Sequence, residues 1–233
     1  MRAVGCAGLA RLVSDVRLAE YGPDALRENL ERLDWLDDVA RAHHRVIDAA
    51  ALRFALLPTR LATVYSGDAA VRATLTARAG RLRRALERVG GSVEWGVKAY
   101  AAAPPDPGTR PGPGTGTGKQ EGAGMAYLNR RRAQLTAGQE ARAAAVRQAR
   151  ALHGRLAGRA ADARLHPPQA PQLSGSRLPM LLTAAYLIAA DGGAEFSATV
   201  TAEADAHPEL WVELTGPWPP YSFAGETGEE NGS

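Results

Sequence analysis

The chain has almost no cysteine. Cys6 is the single one in 233 residues, so an internal disulfide is excluded and a reducing, cytosolic setting is expected. Long hydrophobic runs are missing too. The longest, MLLTAAYLIAA at 180–190, falls well short of the about 20 residues that cross a bilayer. The first residues, MRAVGCAGLARLVSD, carry no extended apolar segment of the signal-peptide kind. Lys and Arg are absent from 191–233, where nine acidic residues fall. The stretch 119–164 is the reverse, with ten basic residues against three acidic. Two opposed fields on one chain pair internally, form solvated faces, or steer separate partners. With 45% hydrophobic and 23% charged residues, the chain has the composition of a folded protein with a real core.

Recognisable catalytic sets are also missing. No GxSxG occurs, no framed pair of carboxylates stands out, and Cys6 sits in a start expected to fray. GPGTGTGK at 112–119 resembles a phosphate loop but fails its spacing. The position five before Gly118 is Pro113, and Gln120 stands where a hydroxyl would meet magnesium. His43 and His44 are adjacent, so one helix cannot aim both at one ion. The default for the pair is a polar residue at a helix edge. No enzyme activity, cofactor or metal is expected.

Strand and helix patterns alternate along the chain. GLARLVSDV at 8–16 alternates as a strand. Pro23 then suits a first helical turn. Apolar residues from Leu26 through Leu30, Leu33, Leu36, Val39 and Ile47 predict one helix to about Ala50. LRFALLP and RLATVY, within 52–65, read as short strands around Pro58. Asp68 is a candidate N-cap for a helix through Val71, Leu75, Leu82, Leu86 and Val89, which Gly90 and Gly91 stop. SVEWGVKAY at 92–100 puts Val93, Trp95, Val97 and Ala99 on one face and Glu94, Lys98 and Tyr100 on the other. It predicts a half-buried strand. The Pro/Gly-rich segment 101–118 reads as a linker.

A helical stretch at 124–164 follows, thin in large apolar residues and broken by Gly138, Gly154 and Gly158. MLLTAAYLIAAD fits a buried strand or a buried helix equally. The spacing of Phe196, Val200 and Ala204 predicts a helix over 193–206, and ELWVELTG at 209–216 a strand. The order is α+β. It divides into an N-terminal domain at 1–100, the linker at 101–118 and a C-terminal domain at 119–233.

LTGPWPPYSF at 214–223 is the densest local signal. Gly216-Pro217 is expected to end the strand. Pro219 and Pro220 favour a stiff extended path from which Trp218, Tyr221 and Phe223 project at low entropic cost. Such aromatics serve equally as a core plug or as binding anchors. The basic run NRRRAQ at 129–134, with Arg130, Arg131 and Arg132, is a solvated face, a docking surface, or a phosphate-binding surface. Only Tyr127 lies among the arginines, which argues against a groove for single strands.

Taken in order, GLARLVSDV, ENLERLDWLDDVARAHHRVIDAA, LLPTRLATVY with VRATL, VEWGVKAY, GAGMAYLNRRRAQL and LTGPWPPYSF resemble the gas vesicle protein GvpL/GvpF family over most of 8–223. The resemblance implies an accessory or minor structural protein of gas-filled protein shells. It would bind the small hydrophobic shell protein and other accessory proteins during nucleation and assembly, without catalysis. It implies a cytoplasmic, vesicle-associated protein with no membrane partner. Trp218, Pro219, Pro220, Tyr221 and Phe223, with Arg130 to Arg132, are its candidate partner-binding residues. The alternative is a nucleic-acid-binding protein using the basic helix at 124–164. The family's fold implies two lobes. The first is ferredoxin-like, open to lacking its first strand because only Met1 to Ala7 precede GLARLVSDV. The second carries long helices and a small β-α-β unit.

Overall fold

A computed structural model of the chain describes residues 1–102, 121–167 and 178–225. The linker at 101–118, beyond Ala102, lies outside the described residues, as does the glycine-rich GPGTGTGK. The protein mixes helix and sheet, as expected. It divides into two compact units, Met1–Glu94 with Pro217–Ser233, and Trp95–Gly216. The aromatic-proline tail therefore clusters with the first unit, whereas its place in the sequence groups it with the C-terminal domain.

The first unit opens on a strand where a frayed start was expected. β1 (Arg2–Cys6) pairs antiparallel with β2 (Leu9–Val13), from Arg2 opposite Val13 to Cys6 opposite Leu9. The two connecting residues, Ala7 and Gly8, have φ of 52° and 71°. That left-handed pair is the two-residue turn whose twist matches a hairpin. Ala in place of the usual Asn or Asp hides the signal. Val4 is buried, and with Cys6, Leu9 and Val13 it packs on Val71 and Leu75 of α4 (Asp68–Val89). Asp68 is the first residue of that helix, and Gly67 holds the cap position predicted for it.

The single helix predicted after Pro23 is two helices. A short turn α1 (Leu18–Tyr21) leads to α2 (Pro23–Leu30), with Pro23 in the first turn, and then to α3 (Leu33–Ala51). Arg32 breaks the run by adopting an extended conformation, and nothing in the local sequence marks the break. The strands predicted at 52–65 do not form. Their backbone bonds go to side chains instead: His43 Nε2 meets the Thr59 carbonyl at 3.0 Å, and Thr63 Oγ1 donates to the Arg60 carbonyl at 2.7 Å. With Pro58 lacking an N–H and Ala62 at φ 58°, the segment offers no ladder to a neighbour.

The second unit is built on a four-stranded sheet in the order β4-β5-β3-β6. Its elements are β3 (Ser92–Ala101), α5 (Glu121–Ala157), β4 (Asp162–Leu165), β5 (Met180–Ala189), α6 (Gly193–Ala206) and β6 (Leu210–Trp218). This βαββαβ succession is the ferredoxin-like order. The resemblance placed that order in the first lobe, where the described residues form a two-stranded hairpin instead. The predicted strand at 92–100 is confirmed, but it is central rather than half-buried. Val97 and Ala99 face the main core, while Tyr100 and Glu94 are buried on its other side. The helix predicted to 164 ends at Ala157, and its last residues turn and become β4, paired antiparallel with β5. MLLTAAYLIAA is a strand.

The main core cluster of this unit lies on one face of the sheet. Leu182, Ala184, Tyr186 and Ile188 alternate on β5. They meet Ala145, Ala149, Leu152 and Leu156 of α5, and Phe196 and Val200 of α6. Gly193 opens α6 because a Cβ there would stand 3.3 Å from the Trp95 ring. Arg155 binds both carboxylate oxygens of Glu203, at 2.7 and 2.6 Å, and Arg159 reaches Glu195 at 2.8 Å. Part of the charge asymmetry is thus paired inside this unit. Among the described residues, no helix is long and apolar enough to cross a membrane.

Candidate functional site

The aromatic-proline tail is the best-defined candidate. Its strand does not stop at Gly216-Pro217 but runs on to Trp218. Pro217 is tolerated because β6 is an edge strand of its sheet, where a missing N–H need cost no ladder bond. Pro219 and Pro220 are buried. Tyr221–Phe223 then form one tight 3₁₀ turn, closed by the Phe223 N–H on the Pro220 carbonyl at 3.2 Å.

This turn sorts the aromatics. Phe223 points inward and is completely buried. The Arg88 guanidinium, at the end of α4, donates to its carbonyl at 2.8 Å. Glu94, only 8% exposed, accepts from both the N–H and the hydroxyl of Ser222 at 2.7 Å each. A buried carboxylate needs such donors to offset its desolvation. Trp218 and Tyr221 point outward, 41% and 36% exposed. Both lie against His44 of α3, with ring centroids at 5.6 and 6.0 Å.

His44 links the tail to its own helix. Its Nδ1 is 3.0 Å from the Tyr221 hydroxyl, and its Nε2 is 3.1 Å from Asp48 one turn on. Burial, followed by the nearby charges of Asp48 and Glu94, holds the Tyr221 phenol above its usual range. The phenol therefore keeps its proton, and the His44 ring bridges it to Asp48. Tyr, His and Asp stand in the order of a proton relay, but a phenol held protonated is a poor nucleophile. What the arrangement does is fix the orientation of two exposed aromatic rings. His43 is turned away to Thr59. Among the described residues, no three metal-ligating side chains gather to hold an ion.

The predicted residues thus separate into groups. Phe223, Pro219 and Pro220 are inside the first unit, and Trp218 and Tyr221 are on its surface. Arg131 and Arg132 are exposed on α5 in the second unit; the Arg130 side chain lies outside the described residues. Glu94, Arg88 and Asp48, which hold the tail in place, were not singled out. The His44–Asp48 spacing of four on a helix was the one local sign available.

Comparison with known proteins agrees along the chain. The family model described as "Gas vesicle synthesis protein GvpL/GvpF" matches residues 1–225. Gas vesicle protein L of Streptomyces sp. (strain CB03234) is 39% identical over 224 residues, which are 95% of this chain and 82% of that protein. Two crystal structures of gas vesicle protein GvpF share the fold. The one from Anabaena sp. PCC7120 has a TM-score of 0.51 at 17% identity, covering 81% of this chain and 74% of that one. The one from Microcystis aeruginosa has 0.52 at 20%, covering 80% and 76%. With a family match over nearly its whole length and a relative this similar, the chain belongs to the GvpL/GvpF family of gas vesicle synthesis proteins.

Proposed function

We propose that this protein acts in gas vesicle assembly by binding, without catalysis, the small hydrophobic shell protein and other accessory proteins in the cytoplasm. The observation that carries this reading is the anchored tail. Trp218 and Tyr221 are presented at the surface by a turn that Phe223, Glu94 and Arg88 hold rigidly. Aromatic rings fixed before binding lose little entropy when they dock, which is the character of interface anchors. The exposed Arg131 and Arg132 supply a separate basic surface for orienting an acidic partner.

The test is co-expression with the shell protein, scoring how much of it is recovered in soluble complex. The wild-type chain is expected to retain it, and a Trp218→Ala, Tyr221→Ala double variant to retain much less while staying folded. A well-folded wild-type chain that recovers none would overturn the reading.

A further inference from the structure

α5 is longer than the sheet it packs on. Its last part carries a buried stripe at Ala145, Ala149, Leu152 and Leu156. Upstream, every described side chain from Met125 to Ala143 is exposed, a span of roughly 28 Å of helix. Yet large apolar residues return on this face upstream of Arg142. Counting back by sevens from Leu156 gives Ala149, Arg142, Leu135 and Leu128, which lie on one face of a helix apart from a small drift per heptad. Leu128 is 58% exposed and Leu135 56%, with Met125 beside them at 61%. A helical stretch containing Gly138 does not sustain itself well in water without a packing partner.

The charge around this stripe says what covers it. Between Met125 and Ala143 the sequence holds four arginines and one glutamate. A second copy laid along this face would set arginines against arginines, which is unfavourable. We infer that the exposed half of α5 is a docking surface for a partner protein's amphipathic helix, one with a leucine-type stripe flanked by Asp and Glu. Leu128 and Leu135 make the apolar seam, and Arg131 and Arg132, on either side of it, pair with the acidic flanks. This inference rests on the reading that the protein works by docking onto other proteins, and it names a surface distinct from the Trp218–Tyr221 tail.

The test uses synthetic helical peptides of about three heptads, with leucine at the seam positions and either glutamate or lysine on the flanks. Binding to the full chain is followed by fluorescence anisotropy. The glutamate peptide is expected to bind and the lysine peptide not. Leu128→Ala with Leu135→Ala keeps helix propensity and is expected to weaken binding by about tenfold or more. Arg131→Glu with Arg132→Glu is expected to weaken it similarly, with circular dichroism unchanged. Equal binding of both peptides, or no loss in the leucine variant, overturns the inference. So does a dimer that the leucine variant dissociates, or a salt-sensitive affinity for a short RNA duplex that depends on the arginines alone. If the peptide fails while the shell protein is still recovered by co-expression, this inference falls and the assembly reading stands. If the peptide binds while co-expression fails, the reverse holds.

Discussion

At the scale of single residues, the tail shows how neighbours in one motif take opposite positions, one buried and one exposed. Phe223 has no exposed surface and Trp218 has 41%. Truncating Phe223 to Ala is expected to destabilise the first unit by about 3–5 kcal/mol, read as a lower denaturation midpoint in urea. Trp218→Ala should leave that midpoint nearly unchanged and weaken recovery of the partner. Glu94→Gln replaces a buried carboxylate that accepts two bonds from Ser222. It is expected to cost about 1–3 kcal/mol in the same assay, and to reduce partner recovery by loosening the turn rather than by removing a contact. Equal stability losses for Phe223→Ala and Trp218→Ala would contradict this division.

At the scale of elements, α5 behaves as two different helices in one rod. Its packed end carries His153, whose Nδ1 lies 2.9 Å from the Tyr186 hydroxyl. Burial holds His153 below the usual imidazole range, and burial raises the Tyr186 phenol, so both are uncharged across this bond at neutral pH. A histidine depressed in the folded state contributes stability above its unfolded value of about 6.5. That contribution is lost as pH falls through the folded value. The melting temperature should therefore drop on acidification from about pH 7 towards pH 5, and drop less steeply in His153→Gln, which still bonds Tyr186. An identical pH slope in both proteins would remove His153 as the cause. Hydrogen exchange offers a second check. Amides between Met125 and Ala143 should exchange much faster than those between Ala145 and Leu156, because solvent surrounds the first set and the sheet covers the second.

At the scale of the whole molecule, each unit carries a core cluster among the described residues. One gathers Val4, Val71 and Leu75. The other gathers thirteen buried residues around β5, α5 and α6. Cores of such different size predict two calorimetric transitions rather than one. Phe223→Ala should move only the lower-temperature transition and Leu156→Ala only the upper. A single transition shifted by both variants would show that the units unfold together.

Local pattern alone was enough for a good part of this protein. The 3.6-residue spacing in α4 and α6, the alternation in β2, β3 and β6, and the Pro23 start all depend on a residue and its near neighbours, so they are legible without a fold. The density of LTGPWPPYSF marked the tail as worth ordering. Tertiary structure decided the rest, because each remaining question was one of pairing. Arg2–Cys6 becomes a strand only through its ladder to Leu9–Val13, while 52–65, equally apolar, finds no such partner. MLLTAAYLIAA is a strand because β4 flanks it and two helices cover its face. Which tail aromatic is buried and which exposed depends on His44, Arg88 and Glu94, and all three lie more than a hundred residues away. No window of sequence contains both halves of such a contact.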